Sequence, residues 1–202
     1  MHQLIMNKWK QTMLRVEAYD VLKAAKEALN KSENKHLSMS DVIILLIGKK
    51  LLFLISNPDV RDYIEKYVAE LSKDKRILGI ILFGSVANGT WNKYSDIDLF
   101  VIVKGKPLDI LHETNEIDKK LKTQQERLLD LGFGLYISPL IVGVHQLKEF
   151  RPIYLEIIDK GIILYEKEAT IGDFIKDLHS KISYKRTSIT GGEVLRWKEK
   201  QR

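Results

Sequence analysis

Apolar residues gather in two unbroken runs near the middle of the chain, Ile80-Ile81-Leu82-Phe83 and Leu99-Phe100-Val101-Ile102-Val103. Each has the length and β-branched content of a buried strand. Elsewhere the apolar spacing changes to three and four residues, the period of helices. Glu17 to Asn30 carries Ala18, Val21, Leu22, Ala25 and Leu29 on one stripe. A second helix, capped by Ser38 or Ser40, begins near Asp41. Asn57-Pro58 opens another, running to about Lys73, with Val60, Tyr63, Ile64, Tyr67, Val68 and Leu71 as its buried stripe. Asp109 to Leu131 reads as one long helix that Gly132-Phe133-Gly134 ends. Leu135 to Val144 is a third strand, and its Pro139 places it at a sheet edge or a bulge, because proline donates no ladder hydrogen bond. Gly161 to Tyr165 is a further strand, and Thr170 to Ser183 an amphipathic helix. The pattern predicts an α+β fold: a small mixed sheet, helices packed on one side, and an N-terminal helical attachment.

The chemistry concentrates between the two central strands. Gly84-Ser85 follows the first at once, and Ser95-Asp96-Ile97-Asp98 leads into the second. Two residues apart in a strand, Asp96 and Asp98 present both carboxylates on one face. Adjacent acids repel and raise the pKa of at least one of them, which points to a cation between them; hard oxygen ligands suit Mg²⁺ or Mn²⁺. A glycine at a strand end lets backbone approach a ligand, and a helix starting at Ser85 would offer free amides and a hydroxyl to a phosphate. Phosphate donors on one side and metal-binding carboxylates on the other make a phosphoryl or nucleotidyl transfer site.

Gly84-Ser85, Ala87, Gly89 and Ser95-Asp96-Ile97-Asp98-Leu99 resemble the signature of the minimal nucleotidyltransferases of the DNA polymerase beta superfamily. The resemblance implies a nucleotidyltransferase domain flanked by helices. It implies a Mg²⁺-dependent enzyme that uses an NTP, ATP foremost, held by Gly84, Ser85, Asn88, Gly89 and Ser95. Asp96 and Asp98 would bind metal and carry catalysis. Asn88 stands where relatives often have arginine. Many members also carry a third carboxylate on the third strand, whereas Tyr136-Ile137-Ser138-Pro139-Leu140 holds none and Ser138 takes the place. Either Glu156 or Asp159 reaches the site from the following helix, or the protein works with two carboxylates or has lapsed as an enzyme. A solvated helix residue is the plainer reading of Glu156.

Composition narrows the setting. The 202 residues suffice for one domain with a smaller attachment, and 45% apolar with 30% charged describes a folded protein. With no cysteine, disulfides and thiolate metal sites are excluded, and the five histidines show no zinc-site spacing. No secretory signal or bilayer-spanning stretch is evident, so a cytoplasmic protein without a membrane partner is expected. Of the net charge of +6, much sits in the last nineteen residues, where six cations face Glu193 and Glu199. A basic tail from 184 to 202 is expected there, able to bind a polyanion and more commonly just solvated.

Residues 1–57, with a short strand at Thr12–Val16 ahead of two helices and the phrase Leu37-Ser38-Met39-Ser40-Asp41-Val42-Ile43, resemble ribbon-helix-helix antitoxins. That resemblance implies a homodimer through an intersubunit ribbon and contact with DNA. A plain helical hairpin is the alternative. The expected layout is therefore 1–57, a catalytic domain over 58–183, and the basic tail. The acceptor is open among small molecules, a protein such as a paired toxin, and nucleic acid. The rival to an enzyme is a non-catalytic, DNA-binding, antitoxin-like regulator that keeps the fold.

Overall fold

The computed structural model describes residues 22–27, 30, 39, 42, 55, 57–189 and 192–200. The chain divides into two compact units, Met1–Leu46 and Ile47–Arg202. In the first, residues 22–27 are helical, inside the helix expected over 17–30. The expected strand at 12–16 lies outside the described residues, and with it the ribbon.

The first described helix of the second unit is α1 (Pro58–Leu71), and its start follows the sequence closely. The Asn57 side chain accepts from the amides of Asp59 at 2.9 Å and Val60 at 3.0 Å, while Pro58 fills the first turn. A charged turn in which Arg76 pairs with Asp74 leads into β1 (Ile77–Phe83), buried along its whole length. A five-residue helix, α2 (Gly84–Asn88), and a loop connect it to β2 (Ile97–Val103). A 3₁₀ turn at Pro107–Ile110 precedes α3 (Leu111–Lys120) and α4 (Lys122–Asp130). Then come β3 (Ile137–Gly143), a second 3₁₀ turn at Val144–Lys148, α5 (Ile153–Lys160), β4 (Ile162–Glu166) and α6 (Thr170–Lys181). The unit ends in a separate hairpin, β5 (Ile182–Ile189) with β6 (Gly192–Glu199).

The four-stranded sheet has the order β3-β2-β1-β4 and is mixed: β1 is antiparallel to β2 and β4, and β2 is parallel to β3. Pro139 lies on β3, an edge strand, so its missing N–H costs no ladder bond.

Three expectations change. Helices cover both faces of the sheet. One face, with Ile80, Leu82, Leu99 and Val101, packs on α1, α3 and α4, and the other, with Ile81, Phe83, Phe100 and Ile102, packs on α5 and α6. Strands apolar at every position require cover on both sides. The long helix is broken at Leu121 (φ −95°, ψ 11°), although Ile117, Leu121 and Leu128 still form one buried stripe. The segment read as a tail is a hairpin docked through Ile182, Tyr184 and Leu195. Among the described residues no helix is long and apolar enough to cross a membrane.

Candidate active site

The site forms where β1 gives way to α2. Phe83, the last residue of β1, pairs with Asp98 on β2, so the turn that follows lies against the Asp98 side chain. Gly84 has φ +72°, in the left-handed region, and a Cβ built there would sit 2.2 Å from Asp98 Oδ2. Only glycine meets both conditions, and the carboxylate rests directly over the bare backbone of the turn. The other end of α2 closes on Gly89, also at φ +72°; its N–H donates to Val86 O, and the Thr90 N–H donates to Ser85 O at 3.0 Å.

The loop that delivers the acids is held by its own polar groups. The Asn92 amide donates to Ser95 Oγ at 2.9 Å, and the Tyr94 amide to Asn92 Oδ1 at 2.8 Å. The Ile97 N–H then donates to Tyr136 O at 2.8 Å, which fixes the start of β2 beside β3. Asp98 is half-buried within β2, whereas Asp96 is exposed and immediately precedes the strand instead of belonging to it. Burial first, and the neighbouring Asp96 charge second, push the Asp98 carboxyl up from the usual range. Among the described residues neither acid has a cationic side-chain partner.

Of the other residues read from the sequence, Ser85 and Asn88 sit half-buried on α2 and Gly89 is its cap. Asn88 Oδ1 is buried with no hydrogen-bond partner among the described residues, and Ser95 Oγ is engaged within its loop while its own proton stays available. Ser138 is the parallel-strand partner of Asp98, exposed on the edge. Glu156 has a different occupation from the one weighed for it. It accepts from Arg186 of β5 at 3.1 Å, and Arg186 also donates to Asp159 at 2.6 Å. Among the described residues no group of three or more acidic or histidine side chains could hold a metal ion. Glu156→Gln is accordingly expected to leave nucleotide binding and turnover within about twofold. Asp159 still holds Arg186, so the melting temperature should drop only about 1–3 °C, as a half-exposed ion pair warrants. Calorimetry and a turnover assay check both, and a large loss of turnover at unchanged affinity would restore a catalytic role.

Two residues escaped the sequence reading. Tyr136, 52% exposed, borders the start of β2, and Arg186 ties the hairpin to α5. The alternation of Ile182, Tyr184 and Arg186 was the available signal for the second.

The sequence profile described as the nucleotidyltransferase domain matches residues 61–163, just over half of the chain and the whole stretch from Gly84 to Asp98. The chain belongs to the nucleotidyltransferase family. This nucleotidyltransferase is 32% identical over 111 residues to a protein of Methanocaldococcus jannaschii provisionally named protein adenylyltransferase MJ1305, covering 53% of this chain and 69% of that one. A crystal structure of a toxin-antitoxin with AMP-PNP overlaps it at 21% identity and a TM-score of 0.39, over 57% of this chain and 84% of the other. A mutant of the toxin-antitoxin MntA-HpeT overlaps at 16% identity and a TM-score of 0.38, over 58% and 82%. In the nucleotidyltransferase, the matched region ends inside β4, so α6 and the hairpin lie beyond the profile.

Proposed function

We propose that the protein transfers a nucleoside monophosphate, with ATP as the preferred donor, to a hydroxyl on an acceptor protein. The observation that carries this is the contact of the Asp98 carboxylate with the Gly84 turn, which joins the cation-binding and phosphate-binding halves of the site. The protein acceptor is supported by the name of the 32%-identical relative.

The backbone at Gly84 and Ser85 and the side chain of Asn88 receive the triphosphate, with Ser95 beside them. Of the Asn88 side chain it is the amide NH₂ that can donate to a phosphate oxygen; Oδ1 only accepts and is buried. Asp96 and Asp98, acidic and without a cationic partner among the described residues, fit a divalent ion of the magnesium type in donor chemistry. When bound, such an ion would neutralise phosphate charge and make the acceptor hydroxyl more acidic. The acceptor oxygen bonds to the α-phosphorus, the bond from that phosphorus to the β-phosphate oxygen breaks, and pyrophosphate leaves. Positioning and electrostatics supply most of the rate. With no third carboxylate beside the pair among the described residues, the acceptor proton passes to solvent at the exposed β3 edge, where Ser138 lies.

Incubation of the full chain with α-³²P-labelled ATP, CTP, GTP or UTP, Mg²⁺ and cell lysate tests the reading. A labelled protein band with ATP is expected, and label appearing in no acceptor would favour the non-catalytic regulator. Ser138→Asp offers a second test, since it places a carboxylate next to Asp98 in register. General-base help is worth about 10²–10⁴-fold where geometry is ideal, so a gain of about tenfold in turnover is expected from this unrefined placement. A slower variant with intact nucleotide affinity would count against it.

A further inference from the structure

The C-terminal hairpin has two unlike faces. In the antiparallel ladder Tyr184 pairs with Trp197 and Arg186 with Leu195, and this face docks on the domain. Arg186 grips Glu156 and Asp159, and the Trp197 ring meets Phe150 edge-on at 4.6 Å. The alternate positions form the outer face, where Lys185 pairs with Arg196 and Ser183 with Lys198. All three cations are exposed, and among the described residues none has an acidic partner.

Placing Lys185 directly opposite Arg196 is unfavourable, because like charges across a ladder repel. Of the acids near the hairpin, Glu156 and Asp159 are consumed on the docked side by Arg186, and Glu193 and Glu199 occupy ladder positions of that same side, opposite Ser188 and Ile182. The outer face is therefore left as a concentrated, uncompensated positive surface on a rigidly anchored ribbon. A protein partner would require an apolar centre, and Val194 is the sole apolar side chain described on this face. A two-stranded ribbon is the width that the DNA major groove admits, and Arg196 and Lys198, two residues apart, are spaced by about 6.6–6.8 Å along the strand.

We infer that the outer face of the β5–β6 hairpin binds the phosphodiester backbone of a nucleic acid. This is independent of which acceptor is nucleotidylated, and it locates nucleic-acid contact on the C-terminal hairpin.

The test uses the full chain and fluorescein-labelled 20-mers of duplex DNA, single-stranded DNA and single-stranded RNA, with a polyglutamate peptide of equal charge alongside. Anisotropy is read from about 50 to 300 mM salt. Wild type should bind at least one of the nucleic acids and prefer it to polyglutamate; which one it binds names the source. The triple variant Lys185→Ala/Arg196→Ala/Lys198→Ala should bind at least about tenfold more weakly. Its plot of log affinity against log salt should flatten by about 2–3 on the duplex, since each phosphate contact contributes about 0.9. A control with the same loss of charge at the far end of the sheet, Lys75→Ala/Lys104→Ala/Lys106→Ala, should stay within about twofold. If the triple variant melts early, Lys198→Ala alone should flatten the slope by about 0.9. The inference is overturned by absence of nucleic-acid binding at low salt, by equal binding of polyglutamate, by an unchanged slope in the hairpin variants, or by equal loss in the control.

Discussion

Asp98→Asn should reduce nucleotidyl transfer by about 10²–10³-fold or more, the loss typical when a charge-stabilising group is removed from a reacting centre. The same substitution should make the metal-free protein more stable at neutral pH. Burial and the charge of Asp96 hold the Asp98 carboxyl above its ordinary value. The native state therefore keeps this proton more tightly than the unfolded chain does. Its stabilising contribution is complete below about pH 4, where the unfolded carboxyl titrates, and is lost as pH rises through the folded value. At pH 7 the charged group weakens the fold, and an amide of the same shape removes that cost. Thermal melts from pH 4 to 8 should show Asp98→Asn above wild type at neutral pH, the gap closing toward pH 4. Mg²⁺ should raise the wild-type melting temperature and leave the variant unmoved, because an ion stabilises only a state that binds it. A variant that melts below wild type at every pH, or responds to Mg²⁺ as wild type does, would remove Asp98 from the cation site.

Gly84→Ala is expected to be almost as damaging, for reasons of geometry alone. The added methyl would stand 2.2 Å from Asp98 Oδ2 and 3.1 Å from Cγ, far inside contact distance, on a backbone at φ +72°. Asp98 must swing away, and a misplacement of about 1 Å can cost about 10²-fold in rate. The left-handed backbone adds about 1–2 kcal/mol of strain. Gly132→Ala, outside the site, separates the two effects. It too is left-handed, at φ +85°, but nothing lies within 4 Å of the new Cβ. Both variants should lose a few degrees in melting temperature, while only Gly84→Ala loses transfer activity. Equal activity in the two would mean that the carboxylate does not work from its position over the turn.

Much of the architecture was legible because the relevant forces act over a few residues. Two uninterrupted apolar runs give two buried strands, the stripe from Val60 to Leu71 gives α1, and Asn57-Pro58 marks its start through amides the cap must satisfy. The glycine after β1 and the Asp-Ile-Asp phrase before the second run were visible for the same reason. Tertiary structure decided what spacing does not encode. That Asp96 precedes β2 instead of lying in it depends on where the strand meets its neighbour, through Ile97 and Tyr136. The break at Leu121 carries no proline or glycine, so no local residue announces it. Glu156 is spent on Arg186, 30 residues further along, an ion pair created by the docking of the hairpin. Ser138 comes to lie beside Asp98 only because β2 and β3 pair in parallel in one register. The sequence by itself determined which segments are strands and helices, and which turn could bring backbone up to a carboxylate, since these follow from local sterics and side-chain period. The pairing of distant elements decided which groups surround that carboxylate, because register and ion pairing emerge only once separate elements compete to bury the same surfaces.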